Sequence, residues 1–92
     1  MVGIKVREVY KYENVELSNG VKVSATEVTV QNGEVATVQG GNATVDGKTF
    51  SFSIYNYGIN GEKTYNLNNV PADVDGQEIV KEFVVFVETD IA

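Results

Sequence analysis

Two regularities predict an all-β fold for this chain. Six turn-forming pairs punctuate its 92 residues: Asn19-Gly20, Asn32-Gly33, Gly40-Gly41, Asp46-Gly47, Asn60-Gly61 and Asp75-Gly76. Between them, Val, Phe, Tyr and Thr alternate with polar residues. Such pairs accept the positive φ angles that hairpin turns demand, and a two-residue period sends every second side chain to one face. The expectation is a single domain over residues 1–92. It is an antiparallel β-sandwich or partly open barrel of about seven to eight short strands joined by tight Asn-Gly/Asp-Gly hairpins.

The first strand holds Ile4, Val6, Tyr10 and Tyr12 at even positions, then Val15 and Leu17 at odd ones, so it kinks partway. A three-residue loop, Ser18-Asn19-Gly20, pairs Leu17 with Val21 and Val15 with Val23, and predicts a left-handed Gly20. The second strand changes phase between Val21, Val23, Ala25 and Val28, Val30, which predicts a bulge near Thr26-Glu27. Gln31-Asn32-Gly33 is expected as another three-residue loop, with a left-handed Gly33 and Val28 opposite Ala36.

Gly40-Gly41 as a turn pairs Val38 with Ala43 and Ala36 with Val45, and Asp46-Gly47 sets Ala43 opposite Phe50. Asn60-Gly61 as a turn sets Ile59 opposite Glu62, Ile54 opposite Leu67 and Asn56 opposite Tyr65. Phe50, Phe52, Ile54, Tyr65 and Leu67 then share a core face. The long connection 68–77, holding Pro71, suits a Greek-key crossing. Residues 79–87 are apolar on both sides and rich in β-branched residues, which predicts a central strand buried on both faces. The alternative, a short helix from Pro71, gathers Ile79, Phe83, Phe86 and Val87 on one side.

Composition narrows the chemistry. With no cysteine and no histidine, disulfides, thiolate metal sites and His-based triads are excluded. Ser24, Ser51 and Ser53 have no basic partner in any nucleophile pattern, no Ser-x-x-Lys occurs, and the glycines are spaced as turn makers rather than as a phosphate cradle. No carboxylate pair stands out for acid–base work, so the chain is not expected to be an enzyme. Net charge is −6, and Lys5, Arg7, Lys11, Lys22, Lys48, Lys63 and Lys81 are dispersed, which argues against nucleic acid. No stretch has the length of a membrane span and no signal peptide opens the chain, so no membrane insertion is expected, and compartment stays open.

Two patterns are candidate sites. Asp73-Val74-Asp75-Gly76-Gln77-Glu78 offers the hard oxygen ligands that calcium prefers, with Asp73, Asp75 and Glu78 as the metal-ligating candidates. It lacks the further ligands of a full calcium loop. Tyr55 and Tyr57 stand roughly 7 Å apart on the face away from the core, beside Ser51, Ser53, Thr64 and Asn66. Tyrosine among small polar residues is the make-up of adaptable recognition surfaces. Tyr10 and Tyr12 fit strand-edge or core positions with solvated hydroxyls.

The expected function is a non-catalytic binding or assembly module presenting Tyr55, Tyr57, Thr64 and Asn66 to a protein or glycan partner. The alternatives are a carbohydrate-binding module, a calcium-stabilised β module and an acidic inhibitor protein. At fold level only, small acidic domains with many Asn-Gly turns are common among accessory modules of bacterial surface and phage proteins.

Overall fold

The computed structural model describes residues 7–56 and 63–92. Its strands are β1 (Arg7–Glu16), β2 (Lys22–Gln31), β3 (Glu34–Val45), β4 (Lys48–Asn56) and β5 (Lys63–Asn68), followed by one helix, α1 (Gly76–Asp90). The strands pair antiparallel in the order β1-β2-β3-β4-β5, an open meander in which sequence neighbours are spatial neighbours. The molecule is thus mostly β, but it departs from the expected sandwich or barrel. Among the described residues there are five strands rather than seven or eight, and the second layer is a helix.

The segment expected as a buried central strand is α1. Val80, Phe83, Val84 and Val87 recur at helical spacing and are all buried. Each β-branched residue costs a helix only a few tenths of a kcal/mol, up to about 0.7, relative to alanine. Burying each of those four side chains returns about 1.5–3 kcal/mol. Packing against the sheet therefore outweighs local strand preference. The buried stripe is rotated from the expected one: Val80 and Val84 are inside, while Phe86 is 37% exposed.

Turn chemistry follows the positive-φ residues. Ser18–Gly20 forms a short 3-10 turn closed by Leu17 N donating to Val21 O at 2.7 Å, with Val15 opposite Val23 and Gly20 at φ 73°. Asn32 (φ 52°) and Gly33 (φ 80°) make a two-residue turn between Gln31 and Glu34, not the expected three-residue loop. Val28 consequently faces Val38 rather than Ala36, and Ala36 is the extra residue where the β2–β3 register shifts. Asp46 (φ 49°) and Gly47 (φ 77°) turn the chain so that Val45 faces Lys48 and Ala43 faces Phe50.

Gly40-Gly41 is not a turn; both residues lie inside β3. Gly40 has φ 64°, and a β-carbon there would come within 2.5 Å of Thr26 Oγ1. One on Gly41 would come within 2.7 Å of the Phe52 ring. These glycines allow close approach of strand and ring. Ile54 faces Tyr65 and Phe52 faces Leu67, two residues from the expected register, but an even shift keeps the same face inward. The Asn60-Gly61 turn and Tyr57 lie outside the described residues.

A band of register irregularities crosses the sheet. β2 carries an extra residue against β1 between Ala25 and Val28, and β1 one between Tyr12 and Val15. β3 carries one against β4 between Val38 and Gly41. Bulges bend strands and raise their twist. Here they keep Val23, Ala25, Val28 and Val30 on one inner face despite the change of parity. That face receives α1, with Phe52 and Phe83 ring centres 6.0 Å apart at 68°.

Candidate functional site

Because Phe52 and Ile54 point inward, their neighbours on β4 point out. Cross-strand pairing then assembles rows of small polar side chains on the outer face. Ser24 faces Asn42, Asn42 faces Ser51, and Ser51 faces Asn68. Ser53 faces Asn66, and Tyr55 faces Thr64. Thr29, itself buried, stands on this face between Val9 and Thr37, with Val9 54% exposed. Ser51, Thr64, Asn66 and Asn68 are exposed, and Tyr55 is half-buried. Three of the four residues proposed from sequence as partner-binding, Tyr55, Thr64 and Asn66, thus share one surface. Tyr57, the fourth, is outside the described residues.

The β4–β5 part of this surface carries hydroxyls, amides and one phenol but no charged side chain. Neighbouring pairs across strands stand about 4.5–5.5 Å apart, so the surface offers a lattice of hydrogen-bond donors and acceptors. It can hydrogen-bond and make van der Waals contact.

Two of the three calcium candidates make other contacts. Asp75 is the N-cap of α1, and its Oδ1 accepts from Glu78 N at 3.2 Å. Glu78 Oε1 lies 4.0 Å from Lys81 Nζ, and Asp73 sits exposed in the preceding turn. Among the described residues no group of three or more acidic side chains is placed to hold a metal ion.

The acids of α1 tie the layers together. Glu82 accepts from Ser18 N (2.9 Å) and Ser18 Oγ (2.8 and 2.9 Å), fastening the β1–β2 turn. Glu88 Oε2 accepts from Val35 N at 2.9 Å, beside the β3 irregularity, and lies 3.8 Å from Lys63 Nζ. Asp90 Oδ2 accepts from Tyr12 Oη at 2.9 Å. Tyr12 also packs edge-on to Phe83 (5.8 Å, 88°) and Phe86 (6.2 Å, 79°). Its hydroxyl is bonded rather than merely solvated. Burial first, then the hydrogen bond and negative charge of Asp90, push the Tyr12 phenol from 10.0 up to about 12.

A groove of about 630 Å³ opens between the first half of α1 and the β1–β2 and β3–β4 turns. Sequence reasoning missed it. Its walls come from three distant segments, and the one local signal, Glu78 and Glu82 four residues apart, has meaning only on a helix. No described helix is long and apolar enough to cross a membrane. Comparison with family models, curated proteins and solved structures finds no match.

Proposed function

We propose that this protein is a non-catalytic binding or assembly module. Its outer sheet face docks on a partner macromolecule through Tyr55, Thr64 and Asn66. The observation that carries this reading is that, among the described residues, α1 covers one side of the sheet while the β4–β5 part of the other side is polar, uncharged and exposed at Ser51, Thr64, Asn66 and Asn68. Antiparallel sheets do face water on one side, so exposure alone is ordinary. The scarcity of charge is less so, because a solvated strand face usually spends Lys and Glu on solubility and edge protection. A partner surface of protein fits best, since Tyr, Ser, Thr and Asn adapt their hydrogen bonds to a varied backbone.

The test uses the full chain as bait beside a Tyr55→Ser, Tyr57→Ser, Thr64→Ala variant. A protein retained by the unaltered chain and lost by the folded variant supports the reading. One retained equally by both defeats it. Binding to an oligosaccharide panel that depends on Tyr55 would reassign the surface to a glycan.

A further inference from the structure

The groove beside α1 lies on the side of the molecule away from the tyrosine surface and has a different character. Its floor is apolar, with Leu17, Val45, Ile79 and Val85, and Val85 is 61% exposed, the most exposed of the large apolar side chains described. Its rim carries five carboxylates, Asp46, Asp73, Asp75, Glu78 and Glu82, against one ammonium, Lys81. The N-terminus of α1 contributes about half a positive charge, far too little to balance them. The groove is therefore strongly negative around an apolar bed. Two of the rim groups are held in place: Glu82 by Ser18, and Asp75 by its cap bond to Glu78 N. Held acceptors cost less ordering on binding.

We propose that this groove docks a cationic amphipathic peptide segment of a partner protein, one or two apolar side chains flanked by arginine or lysine. Charge complementarity selects that occupant. Nucleic acid and anionic lipid are repelled by the rim, and a second copy of a chain with net charge −6 brings like charge. The volume falls within the range of about 300–1,000 Å³ typical of ligand clefts, and the groove is open to solvent rather than enclosed. A chain can lie in it. Arginine on the incoming segment competes with Lys81 for Glu78, an exposed contact at 4.0 Å that holds little energy.

Methyl and amide NMR titrations of the full chain at 50 mM salt test this with three capped heptapeptides. Each alternates leucine with arginine, with glutamine or with glutamate. The expected result is saturable shifts at Leu17, Val45, Ile79 and Val85 with the arginine peptide only, weakening in 500 mM salt. An Asp46→Asn, Asp73→Asn variant should lose about fivefold in affinity, equivalent to about 1 kcal/mol, at an unchanged melting temperature. Asparagine keeps the positive φ of position 46, so folding is preserved. Equal binding of the glutamine peptide, shifts on the outer sheet face, or no shifts overturn the proposal. So does concentration-dependent shifting of these methyls without peptide, which means self-association.

Discussion

At the scale of single residues, Tyr12 makes the clearest pH-dependent contribution. Its phenol titrates at about 12 in the folded chain against 10.0 for a free one. The folded state therefore favours the protonated form. The stabilisation is complete below pH 10 and disappears as pH rises through 12. Denaturant unfolding of the unaltered chain and of Tyr12→Phe should show a stability difference that is constant at pH 7–9 and shrinks across pH 10–12. A difference independent of pH means the Tyr12 phenol is neither desolvated nor bonded to Asp90 in the folded chain. Gly40 makes a second prediction. Gly20 and Gly40 both have positive φ, but only Gly40 is hemmed in, by Thr26. Gly20→Ala should cost about 1–2 kcal/mol for its backbone alone, and Gly40→Ala measurably more in the same urea titration. This distinction was not legible in the sequence. Gly40-Gly41 looks like a turn locally, and only contact with Thr26 and the Phe52 ring makes it a place of close approach.

At the scale of elements, strand parity was legible and chain reversal only in part. The phase change from Ala25 to Val28 points to an extra residue, and β2 has one there against β1. The helix stood only as the alternative to a strand, although its start signal is present. Asp75 and Glu78 stand three apart in the manner of a capping box, yet the same acids also suit calcium. Tertiary burial of Val80, Phe83, Val84 and Val87 decides between strand and helix, and no local rule contains it. The two readings of Asp75 part experimentally. Asparagine caps as well as aspartate does, whereas alanine does not. Asp75→Asn should be nearly neutral and Asp75→Ala should lose about 1 kcal/mol in thermal unfolding, with millimolar calcium changing neither. A calcium-dependent rise in melting temperature that Asp75→Asn abolishes would favour the metal.

For the whole molecule, extents of 52 × 27 × 18 Å describe a thin slab, and the described residues make it one sheet and one helix deep. Such a slab has a buried seam and two working surfaces, and the seam carries the stability. The outer surface was legible because alternation alone fixes it once Phe50, Phe52 and Ile54 are inward. The groove was not, since Leu17, Asp46 and Val85 meet only when α1 lies on the sheet. This division of labour predicts unequal mutational costs. Phe83 is fully buried against Phe52 and Tyr12, so Phe83→Ala should cost about 3–5 kcal/mol. That is a large share of the 5–14 kcal/mol expected at about 0.05–0.15 kcal/mol per residue. Thr64→Ala on the exposed outer face should cost about 1 kcal/mol or less, the span of strand preference. Urea midpoints for the two variants measure both. Comparable losses would mean that Thr64 belongs to the packed structure, and the outer sheet would no longer be a surface available to a partner.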